Sequence, residues 1–365
     1  MLDKVQSGTR AARKTGTLDI EIAAIATAVP PSSIDQLALK DQVLRFYPQF
    51  AHMESIYANT GIERRYYVER PEWYMSPRTW EERTEAFQKH ALDLLETVTL
   101  DAIDQAGLTL DQIDALVVNT TTGLAVPSLD AKLMNRLDFS PNTERLPIFG
   151  IGCGGGVAGV ARASRIAQTI PGGNVLFLTV ELCTLCARVN DPKAAAFVSG
   201  ALFGDGAAGV ILRNPVGDSG GGPTLGRIRA SGEHFWRDTE YMMGWDVLND
   251  GFGVVLSAQL PNLVQERFPD AVDAFLARNG LTRDDIAGYI MHPGGAKVLD
   301  VAEKSLKLPA EALKPSRETL RDYGNMSSGT VLFVLKRALE AGRKGRQLVL
   351  ALGPGFSAYF MVLDL

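Results

Sequence analysis

The sequence predicts a duplicated α/β fold of two similar halves packed in layers, and three observations carry that prediction. The first is an internal repeat. Gly-Leu-Thr-Leu-Asp-Gln-Ile at Gly107–Ile113 and Gly-Leu-Thr-Arg-Asp-Asp-Ile at Gly280–Ile286 stand 173 residues apart. Each leads into an apolar run, Asp114–Asn119 and Ala287–His292, so Asn119 falls over His292. Matched units this far apart imply a copied half rather than a short-period solenoid. The second observation is alternation of buried-looking strands with helical patterns, as layered α/β domains require. The third is that each half finishes alike. Gly204-Asp205-Gly206 precedes a strand at Ala207–Leu212, and Gly353-Pro354-Gly355 precedes one at Ala358–Leu363.

In chain order, residues 1–17 carry Lys4, Arg10, Arg13 and Lys14 with no apolar run behind them, which makes a polar tail and not a secretion signal. Phe87, Ala91, Leu94, Leu95, Val98 and Ala102 recur at helix spacing, and Gly107 closes the helix. A short apolar strand from Leu146 runs into glycines around Cys153, then into an almost wholly apolar helix from Val157. Val175–Val180 reads as a buried strand. The Gly/Pro-rich segment Asn214–Pro223 is the seam, dividing a first half at 18–215 from a second at 216–365. Beyond it, Val264, Phe268, Val272, Phe275 and Leu276 repeat the helix, and Leu348–Leu352 repeats the buried strand.

Composition narrows the function classes. A chain of 365 residues exceeds what one compact core usually holds. With 46% hydrophobic and 22% charged residues it is neither disordered nor fibrous. A net charge of −5 without a basic block excludes a nucleic-acid footprint. The longest uncharged stretch, Gln347–Leu363, has 17 residues broken by Gly353-Pro354-Gly355, too short and too interrupted for a membrane span. Three cysteines make no disulfide framework, which fits a reducing cytoplasm. The expectation is a soluble cytoplasmic enzyme.

Cys153 is the sharpest local signal. It lies on a glycine turn at a helix N-terminus, where free N–H groups and the helix dipole favour a thiolate. Taken alone it is either a nucleophile or a buried structural cysteine. The surrounding Gly150-x-Gly152-x-x-Gly155 imitates a dinucleotide fingerprint, but Glu181 comes too late to close that motif. His292 ends the repeated strand before Pro293-Gly294-Gly295, a strand-end loop that suits a catalytic group as well as a structural one. Asn325 opens another apolar helix, either as its N-cap or as a site residue. Cys183 and Cys186 lack a second pair of zinc ligands, so they read as small residues lining a cavity.

Jointly these pieces resemble the type III polyketide synthases, the chalcone-synthase-like condensing enzymes of the thiolase-fold superfamily. The resemblance runs from about Asp19 to the C-terminus. Its carriers are Gly-Ile-Gly-Cys153-Gly-Gly-Gly, Ala-Leu-Phe203-Gly-Asp-Gly-Ala-Ala, Met-His292-Pro-Gly-Gly, Tyr-Gly-Asn325-Met-Ser-Ser-Gly and Leu-Gly353-Pro354-Gly-Phe. The intervals of 139 residues from Cys153 to His292 and 33 on to Asn325 match the family spacing.

The resemblance implies a thiolase-like αβαβα fold and a homodimer. It implies an acyltransferase that extends an acyl-CoA starter with malonyl-CoA through a cysteine thioester, with no metal and no bound cofactor. Cys153 is then the nucleophile, His292 its base, and His292 with Asn325 the hole for the thioester oxygen. Phe203 is the gate between CoA tunnel and cavity. Cys183, Cys186, Trp245, Val254 and Ser327 fall at cavity positions, Gly353 and Pro354 at a substrate-side turn, and Val126 at the position pushed into the partner's cavity.

The resemblance thins where plant members place basic residues for the CoA phosphates. Those positions hold His52, Ser55 and Asn59, which leaves Arg64, Arg65 and Lys297 as candidates. Glu69–Tyr74, Pro127–Asn135 and Met243–Val247 resemble bacterial alkylresorcinol and alkylpyrone synthases, implying a medium or long fatty acyl starter. Cys183 also occurs in bacterial synthases of tetrahydroxynaphthalene, which prime with malonyl-CoA. A β-ketoacyl-carrier-protein synthase III is a further alternative, although its His-Gln-Ala-Asn and Gly-Asn-Thr-Ser elements are missing. A dinucleotide oxidoreductase and a catalytically dead scaffold are the remaining rivals, and the presence of Cys153 speaks against the scaffold.

Overall fold

The computed structural model describes residues 18–46, 48–189, 191–216 and 224–365. The expected polar tail at 1–17, and positions 217–223 of the expected seam, lie outside the described residues.

The first half supplies β1 (Ile20–Ala28), β4 (Ala115–Thr120), β5 (Glu144–Phe149), β6 (Asn174–Leu182) and β7 (Asp205–Arg213), with a small hairpin-like pair β2 (Ser32–Asp35) and β3 (Arg64–Tyr67) beside them. The second supplies β8 (Gly226–Phe235), β11 (Gly288–Met291), β12 (Arg346–Gly353) and β13 (Ser357–Asp364), with a pair β9 (Met243–Leu248) and β10 (Gly251–Leu256) of its own. Duplication is visible in the topology. In the first half β1 pairs antiparallel with β7, β7 antiparallel with β6, and β6 parallel with β4. In the second, β8, β13, β12 and β11 repeat the same three relations in the same order. Because β1 also pairs with β8, the hydrogen bonds run through both halves as one sheet ordered β11-β12-β13-β8-β1-β7-β6-β4-β5.

Side-chain alternation sorts this sheet into layers. Val175 and Phe177 of β6, and Met361 and Leu363 of β13, face a shared central core with the buried helices Gly155–Gln168 and Thr330–Glu340. Their neighbours Leu176 and Leu178 face the helix Trp80–Ala106, while Phe360 and Val362 face the helix Leu260–Arg278. The result is helix, sheet, paired helices, sheet, helix. The two inner helices bury their apolar faces in this core and carry Arg162, Arg165, Lys336 and Arg337 on their other side.

Strand β1 shows how local geometry serves this plan. Ile20 and Ile22 point to the central core, but the next central residue is Ile25, with Ala23, Ala24 and Ala26 on the outer face. The register slips by one residue between Ile22 and Ala24 opposite β7, and that bulge shifts the alternation. The 80–106 helix begins on a capping box between Thr79 and Glu82, and Gly107 ends it at φ 63°.

Candidate active site

Cys153 occupies a short 3-10 turn, Gly152–Gly154, between β5 and the 155–168 helix. The turn is held from both sides. Gly152 N–H donates to Thr121 Oγ1 at 2.9 Å from the end of β4. Opposite, the loop after β12 packs so closely that a Cβ on Gly353 would stand 2.7 Å from the Ile151 carbonyl oxygen and 2.9 Å from Gly154 N. Gly152 itself has φ 53°, and a Cβ there would meet Pro354 Cδ at 2.6 Å. Gly353 and Pro354 therefore brace the cysteine turn. Gly353→Ala forces backbone against backbone and is expected to cost about 1–3 kcal/mol. A thermal unfolding midpoint equal to the unsubstituted protein's would contradict this packing.

Cys153 is 5% exposed, and the Ser327 and Asn325 side chains lie within hydrogen-bonding range of its sulfur. Asn325 reaches it through a chain crossing. Asn325 N–H donates to Leu202 O and Gly204 N–H to Asn325 O, both at 2.9 Å, so the Phe203 and Asn325 backbones run side by side. Asn325 is not the N-cap of the following helix, which starts at Thr330 after an intervening 3-10 turn at Ser327–Gly329. Its Oδ1 instead accepts from Ser327 N–H at 2.8 Å, and its Nδ2 donates weakly to Gly294 O at 3.3 Å. That leaves the amide donor easy to recruit. Ser327 sits at φ 48°, a strained conformation for a residue with a side chain, beside the sulfur it approaches.

His292 follows β11 directly and is buried, with both ring nitrogens open among the described residues. No hydrogen bond joins it to Cys153. Burial pushes the Cys153 thiol up to about 12 and the His292 imidazole down to about 3. Neither group alone carries a charge here.

Next to Cys153 is a polar cluster that pattern reading missed. Glu181, buried near the end of β6, accepts from Ser328 Oγ at 2.6 Å, Thr122 Oγ1 at 2.9 Å and Thr121 N–H at 3.0 Å. Asn119 Nδ2 donates to Thr179 and Ser328, so the residue that the repeat lays over His292 ends at the same centre. Burial holds the Glu181 carboxyl up at about 7. The available signal was an acidic residue inside an otherwise apolar strand.

A cavity of about 200 Å³ begins at Phe203, Cys183 and Cys186. Trp245 and Val254, on the β9–β10 pair, form one wall, with Trp245 6.4 Å from the Phe203 ring and 6.1 Å from Phe252. Apolar side chains of Ile34, Leu39, Val43 and Phe197 continue the lining away from the triad. Cys153, His292, Asn325 and Ser327 are outside that lining, and Asn325 runs beside Phe203 at its edge. Val126 is remote from it within one chain and 96% exposed.

Lys297 is exposed in the first turn of the helix Ala296–Leu306, and Arg64 is exposed on β3. Arg65 does not fit the expectation of a phosphate contact. It is buried, and its Nη1 donates to the Phe203 carbonyl at 2.8 Å, because its place on the short β3 strand turns it inward. Among the described residues no three His, Cys, Asp or Glu side chains gather as a metal site. No helix there is long and apolar enough to cross a membrane.

A duplicated layered α/β fold with a buried cysteine at the start of a central helix defines the thiolase-like class of condensing acyltransferases. The family of chalcone and stilbene synthases matches in two parts, its N-terminal domain over residues 5–215 and its C-terminal domain over 227–364. The chain is 37% identical to the 1,3,6,8-tetrahydroxynaphthalene synthase of Streptomyces peucetius subsp. caesius over 352 residues, 94% of this chain and 92% of that protein. The structure of the tetrahydroxynaphthalene synthase from Streptomyces coelicolor superposes with a TM-score of 0.88 at 28% identity, covering 94% of this chain and 99% of that one. A type III pentaketide synthase from Neurospora crassa superposes with a TM-score of 0.87 at 27% identity, covering 94% and 99%. The chain belongs to the chalcone and stilbene synthase family, the type III polyketide synthases.

Proposed function

We propose that this enzyme extends an acyl-CoA starter by iterative decarboxylative condensation with malonyl-CoA, carrying the chain as a thioester on Cys153. The observation that carries this reading is the buried Cys153 turn with Asn325 and Ser327 at the sulfur, together with a buried His292 whose ring nitrogens are both open among the described residues. Proton transfer from Cys153 to His292 frees a thiolate that attacks the starter thioester, and the departing CoA sulfur takes the proton back. Malonyl-CoA then loses CO2, and the electron pair moves onto its thioester oxygen. Burial keeps His292 a neutral donor, so its N–H and Asn325 Nδ2 stabilise that enolate, at about 3–4 kcal/mol per donor. The enolate carbon attacks the Cys153 thioester and releases the sulfur, lengthening the chain by two carbons. No metal or bound cofactor enters. The reading takes Lys297 and Arg64 as contacts for the CoA phosphates.

The lining beyond Phe203 supports a medium or long fatty acyl starter, giving alkylpyrones or alkylresorcinols. Each methylene buried against Leu39, Val43 and Phe197 adds about 0.8 kcal/mol, roughly fourfold in kcat/KM, until the cavity is full. Cys183→Phe is expected to lower the preferred length without stopping short starters. Incubating the enzyme with malonyl-CoA alone and with acyl-CoAs from acetyl to dodecanoyl, and weighing the products, tests the reading. A second reading is priming by malonyl-CoA itself, favoured by the name of the 37% identical relative and by Cys183. A flat length profile with malonyl-CoA alone giving the main product selects it.

The working unit of this reading is a symmetric homodimer. Val126, Leu124 and Phe149 are exposed near the unpaired edge strand β5, a surface that a second copy covers. The two expected halves, 18–215 and 216–365, would each give one side of the site, Cys153 from the first and His292 with Asn325 from the second.

A further inference from the structure

The cavity wall carries a chain of hydrogen bonds that the condensation leaves unused. Tyr74 and Thr184 both line the cavity, with Tyr74 Oη 2.8 Å from Thr184 Oγ1. Thr184 Oγ1 donates in turn to Asp205 Oδ2 at 2.5 Å, and Thr184 N–H donates to Oδ1 at 2.8 Å. Backbone groups fix both ends. Glu69 N–H donates to Tyr74 Oη, and Val68 N–H donates to Asp205 Oδ2, each at 3.1 Å. Since the Tyr74 oxygen already accepts from Glu69, its own proton is the one that points to Thr184. Phenol, hydroxyl and carboxyl thus line up in one direction. Asp205 is 0% exposed and does not line the cavity, so it acts there only through the other two.

A purely structural role leaves part of this arrangement unexplained. Asp205 needs only the two backbone N–H groups to hold the turn after β6 against the turn after β3. The Tyr74 hydroxyl satisfies the Glu69 N–H without needing its further bond to Thr184. We propose that Tyr74, Thr184 and Asp205 form a proton relay that serves ring closure of the linear poly-β-ketone made in this cavity; the proposal rests on the condensing reading above.

The step balances. An enol carbon of the chain attacks a ketone carbon of the same chain, a C–C bond forms, and the ketone π pair moves to its oxygen. The enol O–H proton passes to the Tyr74 oxygen as Tyr74 gives its own proton to Thr184 and Thr184 gives one to the Asp205 carboxylate. The new alkoxide takes one proton from water, and the Asp205 carboxyl returns one to water. No oxidant, cofactor or net proton is consumed.

The electrostatics agree with these roles. Burial holds the Asp205 carboxyl up at about 7, so near neutrality it exchanges a proton readily. Burial, and secondarily the Asp205 charge, push the Tyr74 phenol well up, which keeps it a donor. The charged and titratable groups facing Asp205 are Arg65 from β3, which opposes the rise, Tyr74, and the thiols of Cys183 and Cys186, both pushed up by burial.

The test uses the full chain with decanoyl-CoA and malonyl-CoA, and mass spectrometry of the products. The quantity read is carbon-ring product relative to linear acid plus lactone, per malonyl-CoA consumed. Thr184→Val, which keeps the shape and removes the hydroxyl, is expected to lower this ratio at least tenfold, and Tyr74→Phe to do the same. Thr184→Ser is expected to restore it to within about threefold. In the unsubstituted enzyme the ratio rises as pH rises through about 7, where Asp205 becomes the accepting carboxylate, and Thr184→Val removes that pH dependence. Unchanged ratios in both Thr184→Val and Tyr74→Phe, or a serine variant no better than valine, overturn the relay. So does an unsubstituted enzyme that makes only lactone. An unsubstituted enzyme that consumes no malonyl-CoA with any starter rejects the condensing reading itself, and the relay with it.

Discussion

Cys153→Ala is expected to abolish chain extension, lowering the rate of elongated product by about 10⁴-fold or more, as loss of a covalent nucleophile does elsewhere. The reason is that in the proposed reaction one sulfur carries the chain through every cycle, and neither Cys183 nor Cys186 substitutes for it. Burial holds both those thiols far up, and they line the cavity whereas Cys153 does not. Alanine fits the turn, so the folded state is expected to survive, and unfolding curves check this. Cys153→Gln is expected to keep releasing CO2 from malonyl-CoA, because the two oxyanion donors remain. An alanine variant that still makes elongated product would remove Cys153 from the mechanism. A glutamine variant that releases no CO2 would place the decarboxylation elsewhere.

The second large effect is expected at Asn325. Asn325→Ala deletes one donor to the enolate oxygen and is expected to lower malonyl-CoA decarboxylation by about 10²–10³-fold. Asn325 also shapes its own loop, since Oδ1 holds Ser327 N–H at 2.8 Å. Asn325→Asp separates the two roles. It keeps an oxygen for Ser327, loses the N–H donor, and adds a negative charge where the enolate forms. A loop effect alone leaves the aspartate variant near normal; a donor effect makes it at least as slow as alanine. Single-turnover CO2 release measures both variants, and acyl loading on Cys153 is expected to change far less than the decarboxylation.

The two predictions depend on residues with very different visibility in the sequence. Cys153 stood out because glycines on both sides and an apolar helix behind it are local, contiguous signals. The repeated strands and helices were equally plain, since burial on one or both faces writes a period into neighbouring residues. Gly204-Asp205-Gly206 was legible as a turn, yet nothing local marked Asp205 as the end of a hydrogen-bond chain from Tyr74. Arg65 was read as an outward basic residue, and only the docking of β3 against Phe203 turned it inward.

What the sequence by itself determined is therefore the architecture and the place of the proposed nucleophile. It determined the copied halves, the strands with their central and outer faces, and the glycine turn that presents Cys153. Tertiary structure alone decided which polar groups meet. Ser328 reaches Glu181 across 147 positions and Asn119 across 209, distances over which no periodic pattern extends. Tertiary structure also decided the cavity, whose lining comes from separate segments around Ile34, Tyr66, Cys183, Phe197 and Trp245. The physical reason is the range of each constraint. Burial of a face is imposed on consecutive residues and leaves its period in the chain. Pairing of buried polar groups is imposed only where strand register and helix crossing bring remote residues within about 3 Å, and that depends on the whole fold at once.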